Sequence, residues 1–275
     1  MTDTPRTPGP WDQVATAPAR PAAAQPAARP AVVAGGMTGK EIGWAVLSSG
    51  LVLAWLWWMM GPAAAIAGLF GILVHELGHL WAINRLGCGP GKIHFIPFLG
   101  GAASAARPSP TEWIDVIIAL AGPAVGILAT LPFFAGFLIS GETFWLEGAF
   151  FISVINLLNL APAPPLDGSK AIGPVLARIH PTVERVALLA VGLLAVAWAV
   201  NRGSWILAIF VGLSVIGAMR SGAMRPNASP LTSRQTAMSV GAYLGVTAVC
   251  FAALYASITL GGGSAVKAFD SLLGF

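Results

Sequence analysis

Apolar residues run so densely along this chain that the interruptions carry most of the information. Seven stretches, near residues 42–60, 63–86, 116–138, 144–160, 186–200, 205–219 and 237–260, are almost free of charge. A helix rises 1.5 Å per residue and a bilayer has about 30 Å of hydrocarbon, so the pattern predicts an all-α polytopic membrane protein with six to seven transmembrane helices. The stretches at 186–200 and 205–219 are shorter than the roughly 20 residues a span needs, and they either extend past these limits or form a re-entrant pair. The Gly61-Pro62 step divides the first two helices, because Pro is tolerated at a helix start where its missing N–H has no partner. Residues 87–110 are rich in Gly and Pro and include the β-prone piece Lys92-Ile93-His94-Phe95-Ile96. They predict a short β-hairpin or re-entrant loop near residues 90–108, which at membrane depth must be buried in protein or line water.

Composition excludes an ordinary soluble domain. Of 275 residues, 56% are apolar and 9% charged, with a mean hydropathy of +0.77, whereas soluble domains carry about 25% charged residues. The net charge of +4 comes from basic residues that lie singly between apolar stretches, the habit of juxtamembrane charge and not of a nucleic-acid surface. With the N-terminus in the cytoplasm, every Lys and Arg except Arg202 and Lys267 falls on the cytoplasmic side. Residues 1–36, dominated by Pro, Ala, Thr and Gly, read as a disordered cytoplasmic tail. Residues 37–225 read as a membrane-embedded core, and 226–275 as an additional transmembrane helix and tail. The Ala/Gly/Arg-rich composition and the lack of an organelle signal point to a bacterial inner membrane. Cys88 and Cys250 have neither metal spacing nor a partner motif and read as small packing residues.

Candidate chemistry sits inside the second apolar stretch, Leu73-Val74-His75-Glu76-Leu77-Gly78-His79-Leu80-Trp81. This is H-E-x-x-H, and a spacing of four places both imidazoles on one helix face, where they can ligate one Zn²⁺. Glu76 lies beside them, able to take a proton from a water that the metal acidifies. A charged group at the centre of a membrane helix costs about 2.5–3.5 kcal/mol on insertion scales, so residues of this kind usually mark a function. The plain alternative is a pair of interhelical hydrogen bonds beside a protonated glutamic acid. Six residues separate His79 from Arg85, about 9 Å of helix, which sets the site below the cytoplasmic surface and within the bilayer.

Zinc in a hydrolytic site takes three protein ligands and leaves one position open. Asp167, in Asn159-Leu160-Ala161-Pro162-Ala163-Pro164-Pro165-Leu166-Asp167-Gly168, is the candidate third ligand. The prolines force an extended path and Gly168 permits a sharp turn, so a carboxylate can be fixed near the membrane edge. The alternative is a cap or turn residue in a loop.

Residues 75–79 and 159–168 together resemble the two signature motifs of the site-2 protease family of membrane-embedded zinc metalloproteases, H-E-x-x-H and an N-x-x-P-x-x-P-x-D-G type segment. The likeness extends over about residues 43–219, including the small-residue piece Ala121-Gly122-Pro123-Ala124. It implies His75, His79 and Asp167 as ligands of one Zn²⁺ and Glu76 as catalytic base, with Asn159 near the substrate or the developing oxyanion. Two departures stand out: Ser169-Lys170 where many members have Gly-Arg, and Gly126 where an Asn is often found after Gly-Pro. The resemblance implies regulated intramembrane proteolysis, with a transmembrane protein as substrate and the bilayer as setting. A helical peptide bond hides its carbonyl, so a substrate segment has to unwind, and an edge strand such as Lys92–Ile96 could clamp it. Two rivals differ in what they need. A catalytically silent zinc-binding scaffold that binds transmembrane partners without cutting them would be supported by a missing ligand, and none is missing. A metal-ion transporter needs polar residues through the outer half of the spans, where few occur.

Overall fold

The computed structural model describes residues 39–96, 100–201, 203, 205–220 and 228–263. The expected N-terminal tail at 1–36 lies outside these residues. Helix α1 (Gly39–Arg85) is two helices joined at Gly61, whose φ of 77° and ψ of 178° suit glycine alone, with Pro62 following at once. A hairpin comes next, β1 (Lys92–Ile96) antiparallel to β2 (Gly100–Ser104), in the register Lys92 to Ser104 and Ile96 to Gly100. Its base is closed where Arg107 N–H donates to the Cys88 carbonyl, at 3.0 Å.

Helix α2 (Glu112–Gly126) opens on Thr111, whose side chain accepts from the Ile114 N–H. A 3-10 turn (Ile127–Ala129) links it to α3 (Thr130–Ser140), which stops at Gly141 in the left-handed region, φ 74°. Then follow α4 (Thr143–Asn159), α5 (Asp167–Ile179), α6 (Pro181–Asn201), α7 (Trp205–Arg220) and α8 (Ser233–Leu260). All seven apolar stretches are helical. Among the described residues four helices are long and apolar enough to cross a membrane: Gly61–Arg85, Glu112–Ser140, Pro181–Asn201 and Ser233–Leu260. The stretch expected at 186–200 thus gains a turn at its N-terminal end. Helix α4, with 17 residues, and α7, with 16, fall under that length. The protein is therefore mostly helical with a small two-stranded sheet, and length alone supports four spans where the sequence pattern predicts six to seven.

The core that positions the site is built from the second half of α1 with α2, α4 and α5. Lipid tails are as apolar as leucine, so helices in a membrane associate through close packing and not through a hydrophobic force. The sequence answers with small residues: Ala63, Ala64, Ala65 and Ala67 are all buried, and Ala67 packs in one cluster with Ala129, Phe133, Ala149 and Ile152. Helix α8 lies against α2, α4 and α5. The approach to it is strapped down by Glu112, whose carboxylate accepts from the Leu231 N–H at 3.0 Å, and by Arg178, which donates to the Leu231 carbonyl.

Candidate metal centre

His75 and His79 lie one turn apart in α1, and their rings meet edge to face with centroids 4.7 Å apart. Helix α5 begins at Asp167, so its carboxylate comes in from another element to meet them. Asp167 Oδ2 is 3.0 Å from His75 Nε2 and 3.1 Å from His79 Nε2, and the two Nε2 atoms are 3.1 Å apart. The result is a nearly equilateral triangle of three ligand atoms from two motifs 88 residues apart. None of the three residues is more than 7% exposed.

The far side of each ring settles what the near side offers. His79 Nδ1 is 2.7 Å from the Ile118 carbonyl and His75 Nδ1 is 3.0 Å from Asn156 Oδ1. Asn156 Nδ2 donates to the Ile152 carbonyl at 2.8 Å, which turns its Oδ1 toward His75. Both partners are pure acceptors, so each Nδ1 carries the proton and each neutral ring presents the Nε2 lone pair to the centre. Two lone pairs and a carboxylate oxygen facing one another at this range repel unless a cation sits among them. Two imidazole nitrogens and one carboxylate with a fourth position open form a zinc donor set, and a tetrahedron of ~2.05 Å bonds has edges of about 3.3 Å. The residues fit the ion.

Glycines set how closely the elements approach. A Cβ on Gly122 would collide with the His79 ring, and one on Gly78 with the Ala121 carbonyl, so α1 and α2 touch backbone to backbone there. Gly168 serves the same end. It sits in the first turn of α5 without a positive φ, and a Cβ there would strike the Leu160 and Ala161 carbonyls. Its role is close approach, not the sharp turn that the sequence suggested.

Glu76 is buried beside the triangle. Its carboxylate meets the backbone of Ala103 on β2, and Oε2 has no hydrogen-bond partner among the described residues. A buried acceptor left open in this way calls for a functional explanation, and a catalytic base awaiting its water is one. Glu76 meets the hairpin at β2, whose partner strand β1 is the candidate clamp piece Lys92–Ile96. Asn159 sits at the end of α4 and donates to the Ile155 carbonyl of its own helix at 3.1 Å, with no described hydrogen bond to the cluster. The amide that does reach the cluster is Asn156, which the sequence reading passed over. Its signal was an amide one turn before Asn159 in an apolar helix, where a polar group needs a partner.

With this geometry in place, comparison with known proteins points the same way. Residues 63–144, which hold His75, Glu76 and His79, match the profile of Peptidase family M50. That segment is similar to the site-2 protease family. Two curated relatives agree. "Putative zinc metalloprotease sll0528" of Synechocystis is 30% identical over 164 residues, covering 56% of this chain and 40% of that protein. "Putative zinc metalloprotease Rip3" of Mycobacterium tuberculosis is 27% identical over 187 residues, covering 60% of this chain and 47% of that protein. The matches thus span less than half the length of these relatives. No solved structure matches the chain. The M50 segment ends within the first turn of α4, ahead of Asn156 and Asp167, which are brought to it by the fold. Family and relatives together support a site-2 protease-like metalloprotease, imply zinc, and fit the four apolar helices of a membrane protein.

Proposed function

We propose that this chain is an intramembrane zinc endopeptidase that hydrolyses peptide bonds in or near transmembrane segments of membrane-protein substrates, as in regulated intramembrane proteolysis. The carrying observation is the convergence of Asp167 with His75 and His79, on a helix long enough to cross a membrane, beside a Glu76 oxygen that has no partner among the described residues. His75, His79 and Asp167 would hold the zinc, which would supply Lewis acidity and lower the pKa of a water toward about 7. Glu76 takes the proton as the water oxygen bonds to the carbonyl carbon. It returns that proton to the amide nitrogen as the C–N bond breaks. Asn159, at the cytoplasmic end of α4, is a candidate contact for the substrate or the oxyanion. The backbone of β2 beside Glu76 supports the hairpin as the element along which an unwound substrate segment lies.

In this reading six to seven of the apolar stretches cross a bacterial inner membrane, with the N-terminus cytoplasmic and the active site in the bilayer toward the cytoplasmic side. Helix α4, at 17 residues, stands at the lower end of the spanning range. The core is 37–225 and the last span belongs to 226–275. The test combines metal content with cleavage. Detergent-purified native chain should hold one zinc, and His75→Ala and Asp167→Ala should each lose it. Glu76→Gln should keep the zinc and abolish cleavage of a transmembrane reporter segment. Native protein without zinc would defeat the reading. A Glu76→Gln variant that still cuts would defeat the role of the base.

A further inference from the structure

The Nε2 atom of His75 can face the metal only while its ring is held by something else, and that something is Asn156. Asn156 is fully buried, at 0% exposure, in an apolar helix. Both ends of its amide are engaged, Oδ1 by His75 Nδ1 and Nδ2 by the Ile152 carbonyl. The space it occupies is vacated by Gly126 on α2, where a Cβ would collide with Asn156 Oδ1 and approach His75 Cβ at 3.0 Å. Immediately after Gly126 the helix tightens into the 3-10 turn Ile127–Ala129.

From this we infer that Asn156 is a positioning residue of the metal centre: its amide oxygen fixes the tautomer and rotation of His75, and Gly126 is glycine to admit it. The inference rests on the zinc reading above and deepens it. A ring whose Nδ1–H is donated to a fixed acceptor cannot turn its Nε2 lone pair away, and loss of such an acceptor typically costs 10–100-fold in metal affinity. His79 needs no such side chain, since a backbone carbonyl, Ile118, does the same for it. The two ligands are therefore unequal in how they can be lost by substitution of a neighbour.

Two substitutions at position 156 separate positioning from packing. Asn156→Leu keeps the shape and removes the acceptor, whereas Asn156→Asp keeps an acceptor oxygen and introduces a charge. Zinc affinity of the detergent-purified full chain is measured by competition with a chromogenic chelator, beside thermal unfolding. Positioning predicts a 10–100-fold loss for Asn156→Leu and retention within about threefold for Asn156→Asp. Packing alone predicts the reverse order, because a buried charge is the costlier change in an apolar helix. That reversal, or equal affinity in both variants, overturns the inference. If neither variant folds, the exchange variant Gly126→Asn with Asn156→Gly decides. Zinc recovered there supports the inference, because position 126 points at the same spot, and a folded exchange variant without zinc overturns it. A native chain that binds no zinc would overturn the underlying reading as well, so the two failures are told apart by the unmodified protein.

Discussion

Gly78 is the residue on which the closeness of α1 and α2 depends, because the atom facing it is a backbone oxygen, that of Ala121, which cannot rotate aside. Gly78→Ala should destabilise the protein by about 1–3 kcal/mol, the usual cost of overpacking, read as a lower thermal midpoint in detergent. Gly241→Ala in α8, where an added Cβ meets nothing within 4 Å, should be neutral or gain up to about 1 kcal/mol from helix propensity. At this scale the sequence was legible where chemistry is local. His75, Glu76 and His79 fall within five consecutive positions, and helical spacing alone puts the imidazoles together. It was illegible where the partner is remote: Asn156 is 81 positions from the ring it holds. The departure at Gly126 was visible in the sequence, yet its complement on another helix was not, since no periodicity relates two elements to each other.

Among the elements, α8 is tied directly to the segment that leads into the third candidate ligand. Tyr243 on α8 donates its hydroxyl to the Leu160 carbonyl at 2.6 Å, and that carbonyl is the atom against which Gly168 packs. Tyr243→Phe should cost about 0.5–1.5 kcal/mol, the net worth of one hydrogen bond, and should also weaken zinc binding as the path from Leu160 to Asp167 loosens. Thermal unfolding and chelator competition check both, with Tyr255→Phe, 70% exposed, expected to change neither. Helix identity was readable from the apolar runs. Helix extent was less so, because an apolar run ends where polarity rises and not where the backbone turns: α6 begins at Pro181, five residues before its apolar run. The place of α8 beside α4 could not be read at all, since both helices are apolar on every side and no stripe marks the packed face.

For the molecule as a whole, orientation is the property that charge alone should set. Arg85 and Ser140 end the long helices Gly61–Arg85 and Glu112–Ser140, both are exposed, and the proposed topology puts them on opposite sides of the membrane. In intact bacterial cells, a membrane-impermeant thiol reagent should label Ser140→Cys directly and Arg85→Cys only after lysis. The reverse pattern would invert the proposed topology. The native thiols of Cys88 and Cys250 are buried and should stay silent.

The ligand triangle has a further consequence for the whole protein. His75 and His79 stand on α1 and lean on α4 and α2 through Asn156 and Ile118, while Asp167 belongs to α5. On the proposed reading, one ion at their centre would fasten four helices that have no hydrophobic drive to stay together in lipid. Binding that favours the folded state adds stability in proportion to the logarithm of free ligand. Metal scarcity would then act before any substrate arrives, by thinning the population of assembled molecules instead of idling them. If the site holds zinc as proposed, the cell's zinc supply would set how much of this protein stays assembled.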